Sequence, residues 1–279
     1  MGEPSSMSLG FLRPRLQRLS GPSARAFGMP GAGGSFGQFV FIPFTQVMID
    51  GIGWEPSLYV LAAITAGIAL LAFPLRGRNS EAPAGSGGVG AAIAEAVSNP
   101  GYCYLTAGFF VCGFHISFIA LHIKPYAVLC GLTPMIGATA LATVGLFNIF
   151  GSYGAGVLGA RFNKARLLSV LYFTRAVVIA LFLAGPKTEV TILVFSAVFG
   201  LLWLSTVPLT SGLIAQVFGP RYLATLFGIT FFSHQLGAFA GSWLGGLEYD
   251  LTGGYNATWM VSLLLGLLAG IAQVIPYLG

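Results

Sequence analysis

The chain has 279 residues, of which 56% are hydrophobic and only 8% charged, with a formal net charge of +5. Soluble domains carry about 25% charged residues, so this composition, with a mean hydropathy of +0.84, excludes an ordinary water-facing surface and points to lipid. The cations lie in short loops between apolar runs, where lipid headgroups explain them better than nucleic acid, which is not an expected partner.

Met1 to Pro30 is polar and basic, with Arg13, Arg15, Arg18 and Arg25 against Glu3. It holds no apolar run long enough for a signal-peptide core. It reads as a cytoplasmic segment ahead of a span, with a mitochondrial transit peptide as the alternative. Eight apolar stretches follow: Gly34–Ile49, Ser57–Leu75, Tyr102–Ile123, Ile136–Gly159, Leu167–Ala184, Val190–Phe218, Leu223–Leu247 and Thr258–Leu278. A bilayer core takes roughly 20 apolar residues to cross, so these predict an all-α membrane protein of eight transmembrane helices. Arg76 to Pro100, rich in Gly, Ala and Ser, is the one candidate linker.

Topology follows from the cations. With the N-terminus inside and eight alternating spans, the inner side collects ten: Arg13, Arg15, Arg18, Arg25, Arg76, Arg78, Arg161, Lys164, Arg166 and Arg221. The outer side collects Lys124 and Lys187, and Arg175 is left inside a span. That bias puts both termini in the cytoplasm. The acids Asp50, Glu55, Glu189, Glu248 and Asp250 fall outside, at helix ends.

The first span pair also resembles the last after a shift of 200 residues: Gly37 meets Gly237, Phe39 meets Phe239, Asp50 meets Asp250 and Gly53 meets Gly253. A parallel repeat is one mark of a two-halved transporter.

The basic tether Gly156 to Arg166 reads as a tight turn at a membrane face, its glycines letting two helices approach. Its sequence resembles the loop signature of the major facilitator superfamily, Gly-x-Leu-x-Asp-Arg-Phe-Gly-Arg-Lys, in the copy between helices 8 and 9. Gly156, Leu158, Arg161, Phe162 and Lys164 match, whereas Ala160 and Asn163 replace the Asp and the second Gly. The text around His115 and around His234 is most similar to bacterial members near the monocarboxylate and oxalate:formate branch.

The resemblance implies helices 5 to 12 of twelve, with the first four lacking. The basic segment is then 1–30, a helix pair equivalent to helices 5–6 is 31–76, a cytoplasmic linker is 77–100, and a complete six-helix C-terminal half is 101–279. It further implies a secondary transporter in a bacterial inner membrane, working by alternating access on a small organic solute, an organic anion among the options, with proton coupling. The alternative is a truncated, transport-incompetent product or a membrane assembly partner. Catalysis is not expected: no paired carboxylates, metal spacing, phosphate loop or nucleophile elbow is found, so neither metal nor cofactor is predicted.

Polar groups inside spans are functional candidates by default. His115 and Ser117 lie mid-span, and His115 could carry a proton or be a neutral, hydrogen-bonded histidine. His122, nearer the outer face beside Lys124, reads as interfacial. Asn148 and Ser152, one turn apart on one helix face, serve either the pathway or interhelical hydrogen bonding. Arg175 either binds an anionic substrate or ties helices together. His234 and Gln235 are pocket candidates. Trp203, with Ser205 and Thr206, is either a gate or packing, and Pro208 and Gly212 are expected to bend that helix. Cys103 and Cys112 read as small packing residues, and with Cys130 they form no CxxC or ligand spacing.

Overall fold

The computed structural model describes residues 22–71 and 88–275, with side chains over 36–67 and 88–275. The described residues form α1 (Pro22–Ile52), α2 (Trp54–Leu71), α3 (Val89–Ser98), α4 (Pro100–Leu129), α5 (Pro134–Arg161), α6 (Lys164–Ala184), α7 (Glu189–Leu202), α8 (Thr206–Phe218), α9 (Leu223–Thr252) and α10 (Asn256–Ala272). Among the described residues, five units are long and apolar enough to cross a membrane: α4, α5, α6, α9, and α7 with α8 taken as one. Shorter apolar helices run over Phe36–Ile52, Val89–Ser98 and Asn256–Ala272.

Helix starts follow local chemistry. Asn99 accepts from the Tyr102 amide, Asn163 from the amides of Ala165 and Arg166, and Thr188 from that of Thr191, each side chain serving a first-turn N–H that has no intrahelical partner. Glu248 caps α10 from outside the helix. Its carboxylate accepts from the amides of Ala257 and Thr258, both at 2.7 Å, and from the Thr258 hydroxyl at 2.5 Å. An anion there also meets the positive end of the helix dipole. Glu248 therefore has a structural task beyond a solvated helix end.

Three expectations need correcting in detail. The tether is mostly helix: Gly156 to Arg161 continue α5 and Lys164 opens α6, leaving Phe162 and Asn163 as the connection. Its glycines do not bring α5 and α6 together, since Gly156 has nothing near it and Gly159 instead admits Leu209 of α8. Within the candidate linker, α3 occupies Val89–Ser98, and residues 76–87 are outside the described residues. Cys103 is exposed, whereas Cys112 is buried.

The repeat is visible at one end. Gly53 and Gly253 both end their helices at positive φ, +85° and +71°, and each amide closes on a carbonyl four residues back. A left-handed residue at this position is the usual reason for glycine after a helix. The other matched glycines differ. Gly237 lies against the backbone of Phe110, with no room for a Cβ, while Gly37 has nothing within 4 Å.

Close backbone contact at glycines joins several of the helices, as expected where lipid removes the hydrophobic drive between them. Gly113, Gly237 and Gly241 bring α4 and α9 into contact through the carbonyls of His234, Phe110 and Phe114. Gly151 and Gly200 do the same for α5 and α7. α1 lies along α5, where Gln38 donates to the Leu141 carbonyl.

Most of the buried apolar residues among the described ones fall in two clusters. One holds Leu105, Phe109, Leu168, Tyr172, Leu209, Leu213 and Leu226. The other is aromatic, with Phe118, Phe182, Phe195, Phe199, Trp203 and Trp259.

Two substitutions test this account. Gly237→Ala should destabilise the protein by about 1–3 kcal/mol, the usual cost of overpacking, while Gly37→Ala should cause no loss; thermal unfolding in detergent followed by size exclusion reads both. Glu248→Ala should lower stability by about 1 kcal/mol, as loss of a helix cap does, in the same assay.

Candidate functional site: a polar layer around a broken helix

The predicted span Val190–Phe218 is interrupted. α7 stops at Leu202 and α8 starts at Thr206. Pro208 stands third in α8, where a missing N–H costs little because first-turn amides have no intrahelical partner. It therefore suits a new start at this point, and the interruption sits ahead of it rather than at Gly212.

A break at this depth frees backbone groups that lipid cannot satisfy, and neighbouring groups take them up. The Trp203 amide bonds to Gly200 O at 3.1 Å and the Val207 amide to Leu204 O at 3.0 Å. The Ser205 hydroxyl donates to Leu201 O at 2.6 Å. Asn148 Oδ1, on α5, accepts from the Leu204 amide at 2.9 Å. Arg175 Nη2, on α6, donates to the carbonyls of Leu202 at 2.5 Å and Trp203 at 2.7 Å. Asn148 reaches the break because α5 and α7 touch at glycines one turn away: a Cβ on Gly151 would overlap the Leu201 carbonyl, and one on Gly200 would sit 2.8 Å from Val144 O.

Arg175 is 0% exposed. Its guanidinium lies 5.5 Å from the Tyr172 ring and 5.7 Å from the Phe199 ring, a placement that partly compensates a buried cation. Its Nε and Nη1 are buried without a hydrogen-bond partner among the described residues. His115, also 0% exposed, bonds through Nε2 to Ser262 O at 2.7 Å. A carbonyl only accepts, so Nε2 carries the proton and, in the neutral ring, Nδ1 is an acceptor. That Nδ1 is buried and unpartnered too.

Cys112, one turn before His115 on α4, bonds through Sγ to the Thr206 hydroxyl at 3.1 Å. The His115 ring lies 6.4 Å from the same Phe199 ring. His234 is mostly buried, stacked on Phe231 at 5.4 Å and against Phe109 at 5.0 Å. These groups stand near the middle of their helices and lie between the two apolar clusters. The result is a polar layer at mid-depth.

The predicted residues thus divide. His115 and Arg175 both lie beside the Phe199 ring, at 6.4 and 5.7 Å, whereas His234 lies against Phe109 and Phe231. Asn148 is at the break, and the Ser152 hydroxyl donates to its Oδ1 at 3.1 Å. Trp203 is buried in the break itself, its ring 5.8 Å from Phe199. Ser117 stands apart, pairing with the Ser242 hydroxyl at 2.5 Å between α4 and α9. Gln235 is on the exposed side of α9, 3.3 Å from His234 Nδ1. His122 bonds to Ser242 O at 3.1 Å. In the loop motif, Lys164 leans across to α8 and donates to Gln216 at 3.2 Å, while Leu158, Arg161 and Phe162 are exposed. Ser262 was not singled out by sequence, and Cys112, read there as a packing residue, is a buried member of the first cluster that also bonds to Thr206. Cys112 lies three residues before His115, on the same helix face, and that spacing was the available signal.

A family model for the Major Facilitator Superfamily matches residues 22–242. An uncharacterized MFS-type transporter, YcxA of Bacillus subtilis, is 28% identical over 176 residues, covering 61% of this chain and 43% of that protein. Monocarboxylate transporter 12-B of Danio rerio is 22% identical over 274 residues, covering 86% of this chain and 57% of that protein. Monocarboxylate transporter 13 of Rattus norvegicus is 22% identical over 259 residues. The chain thus spans about half the length of the curated relatives it matches. With the family match over most of its length and several helices able to cross a bilayer, the chain is a multi-pass membrane protein that belongs to the Major Facilitator Superfamily, a family of transporters rather than enzymes.

Proposed function

We propose that the chain serves secondary active transport of a small organic anion, coupled to protons, with the polar layer as its solute and proton site. The observation that carries this reading is Arg175, a fully buried cation with two donors unpartnered among the described residues, beside the same Phe199 ring as His115, whose Nδ1 is also unpartnered. An ionised side chain at mid-depth is costly to keep and marks solute or proton pathways by default. Family membership and the names of the relatives, among them monocarboxylate transporters, support the same class of solute.

In this reading eight units span the bilayer: α1, α2, α4, α5, α6, α7 with α8, α9 and α10. The short α3 lies in the cytoplasmic segment between a helix pair and a six-helix half, and both termini face the cytoplasm of a bacterial inner membrane. The solute site is reached alternately from the two sides as the halves rock. An anion takes the Nε and Nη1 donors of Arg175. A proton arriving at His115 Nδ1 adds a donor and a second positive charge beside the anion. Proton and anion then stabilise each other's binding, which is the requirement for coupled movement. His234 stands on the route to this layer.

The test is uptake of labelled lactate into proteoliposomes holding the full chain, with and without an inward proton gradient. The gradient should accelerate uptake. Arg175→Gln should lower it about tenfold or more, at least ~1.4 kcal/mol of lost stabilisation. Replacing His115 and His234 together by Gln should remove the response to the gradient. Uptake that ignores the gradient, or that survives Arg175→Gln unchanged, would contradict the proposal.

A further inference from the structure

We propose that Gln273, the residue directly after α10, is a positioning residue for His115. It fixes the register of α10 against α4, and so decides which nitrogen of the His115 ring is left bare in the polar layer. Its importance for transport rests on the reading of His115 as the proton site. Contacts between the two helices keep one antiparallel register over most of their length. Gln273 Nε2 donates to Tyr104 O at 2.9 Å, and His115 Nε2 to Ser262 O at 2.7 Å. The Phe118 ring lies 4.9 Å from Trp259, and the His122 ring 5.1 Å from Tyr255. From pair to pair, every step along α4 is matched by an equal step back along α10. The two hydrogen bonds stand eleven residues apart on each helix, about three turns or 16 Å. They run in opposite senses, one donated from the end of α10 and the other from α4.

Gln273 sits in a slot that only glycine leaves open. It is 3% exposed, and a Cβ on Gly108 would overlap its amide nitrogen. The Tyr172 hydroxyl donates to Gly108 O at 2.6 Å, so α6 braces the same turn of α4. The face of α10 turned to α4 and α6 is otherwise small, with Thr258, Ser262, Gly266 and Gly270 at four-residue spacing. Such a face offers little bulk against sliding, whereas a buried amide moved away from its carbonyl is left without a partner. One polar layer in an apolar seam specifies register in this way. With the register fixed, Nε2 meets the Ser262 carbonyl, keeps the proton there, and leaves Nδ1 bare. A slip of α10 by one residue, about 1.5 Å, would carry that carbonyl out of line and release the preference for this tautomer.

Solid-state NMR on the full chain in bilayers at about pH 8, where an ordinary histidine is neutral, tests it without any solute. The His115 ring nitrogens are labelled against the carbonyl carbon of Ser262. The native chain should show a bare Nδ1 and a protonated Nε2 coupled to that carbon. Gln273→Met keeps the length of the side chain and removes its donor. It should lose the coupling and show both neutral tautomers, although residue 273 does not touch His115. Tyr102→Phe is the control. It removes the 2.8 Å bond from the same end of α4 to Leu226 O on α9 and should leave both signals native. The proposal is overturned if Gln273→Met keeps the native coupling and the single tautomer, or if Tyr102→Phe disturbs them equally. Should Gln273→Met fail to fold, Gly108→Ala, which keeps Gln273 but fills the place of its amide, decides by the same criterion. Failed lactate uptake would leave this clasp standing, and a clasp that slips would leave Arg175 as the anion site.

Discussion

One guanidinium bonded to two carbonyls underlies much of this structure. Within a bilayer every backbone N–H and C=O must find a partner inside the protein, and a helix broken at mid-depth leaves several without one. Arg175 takes two of them, at Leu202 and Trp203, and Asn148 takes a third at Leu204. A charge that would be costly to bury is thereby tied to an interruption that would be costly to leave open. Each makes the other tolerable, and neither residue can be understood as packing alone.

Reaching that arrangement requires close approach between helices. Gly151 and Gly200 let α5 and α7 touch backbone to backbone, and only then does a side chain as short as Asn148 span the gap. Gly266 similarly lets Ala176 and His115 converge, its absent Cβ leaving room 3.2 and 3.4 Å away. Small residues at the crossings set the distances, and two apolar clusters close the layer off on either side. The functional reading grows from what remains within that layer: donors on Arg175 and an acceptor on His115 that no protein group uses.

Much of this was legible in the residues, and what was not has identifiable causes. Length and hydropathy located the long helices, because a bilayer demands long apolar runs. Asn99, Asn163 and Thr188 announce helix starts by chemistry that acts within three residues. Arg175 stood out as the one full charge inside a span, and the loop motif pointed to the family. The break at Trp203–Ser205 was hidden because Glu189–Phe218 as a whole is apolar enough to read as one span. Pro208 was visible, but whether a proline bends a helix or follows a stop depends on partners supplied by α5 and α6. Cys112 was read as packing and does lie in the first cluster; its bond to Thr206 was hidden because sequence places that partner 94 residues away. Gly37 and Gly237 match in the repeat yet meet different surroundings, since a glycine's task is set by what packs against it.

The contact on which all of this rests can be observed in lipid. Solid-state NMR on the full chain in bilayers, with Arg175 side-chain nitrogens labelled against the carbonyl carbons of Leu202 and Trp203, measures their dipolar couplings directly. Couplings of the strength a direct hydrogen bond produces to both carbonyls are the expected result. No detectable coupling to either would mean that the broken helix is held by something else.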